Sequence, residues 1–201
     1  QAGRRILLKR GFLLTVATTT WNLGEAGVAL AFGVMAGSVA LTGFGLDSLL
    51  EVSSALFIFW KLAGKKAADI GRRENTARRG IALTFLLLAL WITWKSVGDL
   101  RAGTRPEPSI AGIVLAFLSL IIMPLLGTAK MRLGKALNSR AIQADAVETL
   151  VCAWLSASLL AGLGLHAALQ WWRADAIGAL LMVPFLIWQG IETWKEAGGR
   201  D

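Results

Sequence analysis

The chain has 201 residues, of which 55% are apolar and only 17% are charged, and its mean hydropathy is +0.59. Its apolar residues form six blocks of about 20 residues, the length at which a helix spans a hydrocarbon core. Because little sequence lies between these blocks, the composition excludes a separate soluble catalytic or nucleotide-binding module.

The blocks predict an all-α membrane protein, a bundle of six transmembrane helices in one domain. In chain order the predicted helices cover residues 11–33, 38–63, 80–100, 109–129, 141–165 and 174–194. A short turn at 33–38 makes the first two helices antiparallel neighbours. Pro124 lies inside helix 4 and predicts a kink there, because proline removes a backbone hydrogen bond.

The net charge of +8 is explained by the topology. Of the 21 Lys and Arg residues, all but four precede helix 1 or follow helices 2, 4 and 6; the four are Lys95, Arg101, Arg105 and Arg173. Cytoplasmic loops carry an excess of basic residues, so we expect both termini and residues 61–79 to be cytoplasmic. Basic clusters can also bind phosphate, but topology accounts for them here, and we expect no nucleic-acid partner. We predict a multi-pass protein embedded in the lipid bilayer of the cell membrane, in a bacterial plasma membrane.

Two pairs of metal-ligating residue types lie inside apolar blocks, Asp47 with Glu51 on helix 2 and Glu148 with Cys152 on helix 5. Each pair has i, i+4 spacing, which places both side chains on one helix face about 6 Å apart. Helices 2 and 5 run in opposite directions, so all four residues can meet near the bilayer centre. Carboxylate oxygens and a thiolate sulfur are ligands of zinc-like ions. The sequence therefore predicts a tetrahedral metal site.

One sulfur among three carboxylates disfavours Cu(I) and leaves Zn²⁺, Co²⁺, Cd²⁺, Mn²⁺ and Fe²⁺ open as substrates. The alternative is that each polar side chain is hydrogen-bonded inside the bundle and binds nothing. Three buried acids without a neighbouring basic residue are partly protonated, because desolvation and like charges disfavour the ionised form. Such groups hold protons without a metal and release them when one binds, as a metal/proton exchanger requires.

Three further polar residues are candidates for an outer shell or a proton path: Asn22 and Glu25 on helix 1 and Asp145 on helix 5. Glu25 could equally be a structural acid that is hydrogen-bonded by Asn22 and the hydroxyls of Thr18–Thr20. Asp145 lies one turn before Glu148, and we expect it to line the inner vestibule.

Two polar residues near the outer ends of helices are expected to be structural. Asp175 opens helix 6 and is expected to complement the dipole of that helix. His166 is the only histidine, and we expect it at the surface, too far from Cys152 to ligate the same ion. Because no histidine is near enough to activate the thiol, a thiol enzyme is disfavoured and we expect no enzymatic activity.

Three stretches resemble the cation diffusion facilitator superfamily. GSVALTGFGLDSLLEVSSAL, SRAIQADAVETLVCAWLSASLLAGL and WWRADAIGALLMVPFLIWQGIETWKEA are similar to its helices 1–2, 5 and 6. The family pattern is Asp-x-x-x-Asp on helix 2 and His-x-x-x-Asp or Asp-x-x-x-Asp on helix 5. Asp47 matches the first position, and Glu51 replaces the second Asp. Glu148 stands at the His or Asp position, and Cys152 stands at the final Asp position.

The resemblance implies a divalent cation transporter that exports Zn²⁺ or a similar ion from the cytoplasm in exchange for protons, by alternating access. Family members commonly carry a cytoplasmic C-terminal domain that supports a homodimer. Here the chain ends seven residues after Trp194, so we expect that domain to be absent and a homodimer to form through transmembrane helices. The alternative is a non-transporting membrane protein that keeps the fold and acts as a partner or regulator.

Overall fold

A computed structural model describes residues 2–63 and 70–198 of the chain, and these residues form six helices without a strand. The helices are α1 (Ala2–Ala36), α2 (Val39–Ala63), α3 (Ile70–Ala102), α4 (Ile110–Ala136), α5 (Arg140–Leu169) and α6 (Arg173–Gly198). The predicted all-α six-helix bundle is confirmed. Residues 64–69 of the predicted cytoplasmic loop lie outside the described residues, and the orientation in the membrane stays a prediction.

Five of the six described helices are longer than the apolar blocks that predict them. α1 begins at Ala2 instead of near residue 11, α3 begins at Ile70 instead of near residue 80, and α4 ends at Ala136 instead of near residue 129. A helix satisfies its backbone hydrogen bonds internally, so it can continue past the hydrocarbon into a basic segment. Hydropathy therefore marks where the membrane ends, and not where the helix ends.

Among the described residues, four helices are long and apolar enough to cross a membrane: Arg78–Ala102, Ile110–Ala136, Asp145–Leu169 and Arg173–Ala197. α1 is not among these four helices, because its polar stretch, 18–25, lowers its mean hydropathy. For α2, the side chains beyond residue 53 lie outside the description. The outer surfaces of the helices are also apolar. Ile110 and Trp94 are 77% and 72% exposed, as expected where lipid rather than water surrounds a bundle.

All six helices contribute to one apolar core. Large side chains such as Phe44 of α2, Ile92 of α3 and Leu159 of α5 are buried there, together with Met182 of α6. The protein interior is close-packed, so these contacts set the rotation of each helix about its axis. That rotation decides which polar residues meet.

Glycines bring α1 and α2 into backbone contact. A Cβ atom added at Gly33 would lie 2.7 Å from the Thr42 nitrogen, and one added at Gly45 would lie 2.9 Å from the Leu30 nitrogen. Small residues permit such close approach between membrane helices. As a consequence, polar side chains of α1 reach hydrogen-bonding distance of the acidic face of α2.

Two residues near one end of the bundle differ from the sequence-based expectation. The Asp175 carboxylate accepts hydrogen bonds from Ser38 Oγ at 2.5 Å and from the Val39 nitrogen at 2.9 Å, so it caps the N-terminus of α2 as well as opening α6. The sequence predicts a surface position for His166, but its side chain is 5% exposed. It interacts electrostatically with Asp175, because α5 packs against the first turn of α6.

Candidate metal centre

The site starts from one face of α2, where Asp47 and Glu51 follow one another by a helical turn. Asp47 is 2% exposed, and its Oδ1 atom has no hydrogen-bond partner among the described residues. Glu51 is half-buried. A buried carboxylate oxygen without a partner costs about 1–3 kcal/mol relative to a satisfied one, so this face of α2 is ready to accept a cation or a proton.

Cys152 of α5 completes a three-residue cluster with these two acids. The ligand atoms of Asp47, Glu51 and Cys152 all lie within 4.8 Å of one another. The buried Cys152 thiol donates a hydrogen bond to Glu51 Oε1 at 2.5 Å. Two carboxylates and one sulfur are a donor set that suits zinc-like divalent ions.

Glu148 does not join this cluster, contrary to the four-residue site that the i, i+4 spacing predicts. Its side chain is exposed, and its backbone carbonyl oxygen lies 3.2 Å from Cys152 Sγ, as a second acceptor within reach of the one thiol proton. The carboxylate still interacts electrostatically with Asp47 and Glu51. Its own electrostatic neighbours are the charged residues Arg78, Lys130, Asp145 and Glu196. The α5 helix therefore brings Cys152 into contact with α2, whereas Glu148, one turn earlier, lies at the exposed surface.

Asn22 of α1 contacts the cluster directly. Its side chain is 3% exposed, and its Nδ2 atom donates a hydrogen bond to Glu51 Oε2 at 2.5 Å. Both oxygens of Glu51 therefore accept hydrogen bonds, one from Cys152 and one from Asn22. The amide oxygen of Asn22 is buried without a hydrogen-bond partner among the described residues.

Glu25, the acid predicted on helix 1, accepts hydrogen bonds from residues other than those that the sequence suggests. Its carboxylate accepts hydrogen bonds from Ser48 Oγ at 2.8 Å, from Trp21 Nε1 at 3.3 Å and from Ser119 Oγ. Neither Asn22 nor the Thr18–Thr20 hydroxyls supply these bonds. Glu25 is not among the three residues whose ligand atoms lie within 4.8 Å of one another, so it is an electrostatic neighbour of the cluster and lies outside it.

Asp145 also lies outside the cluster, because it is paired across the α4–α5 contact. Lys130 Nζ lies 2.9 Å from Asp145 Oδ2, and it donates a further hydrogen bond to Thr149 Oγ1 at 3.1 Å. The sequence places Lys130 in a basic segment after helix 4. The longer α4 instead carries it between two helices, where it is 2% exposed.

The chain matches the sequence profile of the cation efflux transmembrane domain over residues 15–199. The chain belongs to the cation efflux family. The resemblance found in the sequence is thereby confirmed. Together with the apolar helices, membership makes this a multi-pass membrane protein.

Three relatives have sequences similar to that of this chain. It is 31% identical over 155 residues to Transmembrane protein 163 of Xenopus laevis, an alignment that covers 76% of this chain and 55% of that protein. It is 25% identical over 181 residues to the uncharacterized transporter sll1263 of Synechocystis, covering 87% and 58%. Magnetosome protein MamB of Magnetospira is 26% identical over 166 residues, covering 79% and 56%. The chain thus spans little more than half the length of these relatives.

Sequence reasoning missed Ser48 and Ser119, the hydroxyl donors to Glu25, and the indole of Trp21. The sequence of this cation efflux protein does contain a pattern that indicates the two serines. Each is a lone hydroxyl in an apolar stretch, GLDSLL for Ser48 and AFLSLI for Ser119. Isolated polar side chains within a membrane helix face the bundle interior and pair with one another, so they are expected partners for an unpaired acid.

Proposed function

We propose that this protein exports a divalent transition-metal ion, Zn²⁺ or a similar ion, from the cytoplasm in exchange for protons. Family membership supports the transport of cations. The cluster of Asp47, Glu51 and Cys152 supports a binding place for the ion inside the helix bundle. Alternating access then exposes that place to one side of the membrane at a time.

The observation that carries the proposal is the hydrogen bond between the Cys152 thiol and Glu51 Oε1. The thiolate, and not the thiol, is the form that binds metals. An ion that ligates both Sγ and Oε1 therefore takes the place of the proton between them. Metal binding at this cluster releases at least one proton, which is the coupling that an exchanger needs.

The donor set also bears on which ion is carried. Cys152 is a soft ligand and the two carboxylates are hard ligands. Such a mixed set accepts Zn²⁺, Cd²⁺ and Co²⁺ through the sulfur, and Mn²⁺ and Fe²⁺ through the oxygens. We propose Zn²⁺ as the main substrate, because all these ligand types occur in zinc sites.

Export from the cytoplasm is supported by the residues between the cluster and the predicted cytoplasmic ends of the helices. Glu148 is exposed one turn before Cys152 on α5, on the side that the loop charges predict to be cytoplasmic. A negative side chain at that position attracts a divalent cation toward the cluster. A homodimer packed through the transmembrane helices also belongs to this proposal, and it is supported by the family resemblance alone.

Transport is tested with the purified protein in liposomes that contain a pH-sensitive dye, under an imposed pH gradient and with a panel of divalent ions. We expect Zn²⁺ to drive proton movement across the membrane, and Cys152→Ala to lose it. The matched control is Ser158→Ala, another buried residue of α5. A protein that binds ions but moves neither metal nor protons would support the non-transporting role instead.

A further inference from the structure

We propose that Asn22 supplies the fourth ligand of the metal site through its amide oxygen, which makes the site a product of three helices, α1, α2 and α5. This inference rests on the proposed function, because it assumes that the cluster binds a divalent ion. The cluster offers three protein ligands, whereas zinc-like ions take four in a tetrahedral arrangement. In this proposal Asn22 of α1 takes the ligand position that the sequence predicts for Glu148 of α5.

The placement of the amide group supports this ligand. Asn22 Nδ2 lies 2.5 Å from Glu51 Oε2, and Oδ1 is bonded to the same carbon atom as Nδ2, so the amide oxygen lies beside the cluster. Asn22 Oδ1 and Asp47 Oδ1 are both buried oxygens without a hydrogen-bond partner among the described residues. Buried polar atoms are almost always satisfied, and a cation that both oxygens ligate would satisfy both.

The two ends of the Asn22 amide then have separate tasks. The Nδ2 atom holds Glu51 Oε2, which leaves Oε1 to face Cys152 and the ion. The Oδ1 atom ligates the ion as a neutral, hard oxygen. Because α1 also packs backbone to backbone against α2, a ligand on α1 links the bound ion to the position of that helix.

The test compares four variants by calorimetric titration of the detergent-solubilised protein with Zn²⁺. Asn22→Leu removes the oxygen and the hydrogen-bond donor, whereas Asn22→Asp keeps an oxygen and removes the donor. Glu148→Gln removes the charge of the alternative ligand. Gln189→Leu is the matched control, since Gln189 of α6 is also a buried amide whose oxygen lacks a hydrogen-bond partner within the described part of the chain.

We expect Asn22→Leu to weaken Zn²⁺ binding by about tenfold or more, while Asn22→Asp and Gln189→Leu keep it. Glu148→Gln removes a neighbouring charge and is expected to weaken binding less than Asn22→Leu does. If Asn22→Asp fails as Asn22→Leu does, Asn22 only positions Glu51 and the inference is wrong. It is equally wrong if Glu148→Gln weakens binding by about tenfold or more. Should Asn22→Leu not fold, Asn22→Asp and Glu148→Gln decide the question alone. A parent protein that binds no divalent ion would instead contradict the proposed function.

Discussion

The ion pair between Lys130 and Asp145 predicts an asymmetric response to mutation. The Lys130 side chain is 2% exposed and the Asp145 side chain is 38% exposed. Asp145→Asn leaves a buried ammonium whose remaining hydrogen-bond partner among the described residues is Thr149, and a buried charge that has lost its paired acid costs about 3 kcal/mol or more. Lys130→Met leaves a carboxylate that polar surroundings can still solvate, so its cost is nearer that of an exposed pair, about 1 kcal/mol.

The assay is thermal unfolding in detergent at a fixed scan rate, followed by the fluorescence of the nine Trp residues. For a chain of this length 1 kcal/mol corresponds to roughly 2–4 °C. We therefore expect Asp145→Asn to lower the apparent Tm by at least about 6 °C and Lys130→Met by about 2–4 °C. The double variant should lie close to the parent, because replacing both partners removes the buried charge altogether. A larger loss for Lys130→Met than for Asp145→Asn would refute this reasoning.

Three more predictions concern the metal site. Cys152→Ser is expected to weaken Cd²⁺ binding by about tenfold or more and to weaken Mn²⁺ binding less, because sulfur is the one soft ligand. An equal loss of affinity for both ions in a competition titration would argue against ligation by Cys152. Zn²⁺ affinity should fall as the pH is lowered, because protons compete with the ion for the thiolate and the carboxylates. Calorimetric titrations in buffers of different ionisation enthalpy should show that Zn²⁺ binding releases protons. Zn²⁺ binding without proton release would contradict the exchange of metal for protons. Glu25→Gln should largely keep the Zn²⁺ affinity of the parent, since Glu25 lies outside the cluster of Asp47, Glu51 and Cys152. A loss matching that of Asp47→Asn would make Glu25 a ligand.

Local spacing was a good guide to the acidic face of α2 and a partial guide to α5. The i, i+4 rule places Asp47 with Glu51, and both lie in the cluster with Cys152. The same rule places Glu148 with Cys152, yet the structure turns the Glu148 side chain to the exposed flank of α5. The spacing of residues tells which side chains share one face of a helix. The packing of two helices decides which turn of that face contacts the neighbouring helix.

Asn22 and Glu25 show the same limit. Both could be singled out from the sequence as polar residues in an apolar helix, but most of their partners lie on α2 and α4. The contacts with α2 depend on the close approach of α1 to α2 at Gly33 and Gly45. No local pattern in α1 contains that information.

The sequence by itself determined that the chain is a helical membrane protein, how many helices it has, and which acids and thiol lie within apolar segments. Only the tertiary structure decided that Asn22 meets Glu51, that Lys130 pairs with Asp145, and that Asp175 caps α2. The physical reason is the bilayer. Lipid-facing and core-facing positions are both apolar, so hydropathy does not orient a helix about its axis, and packing must do so.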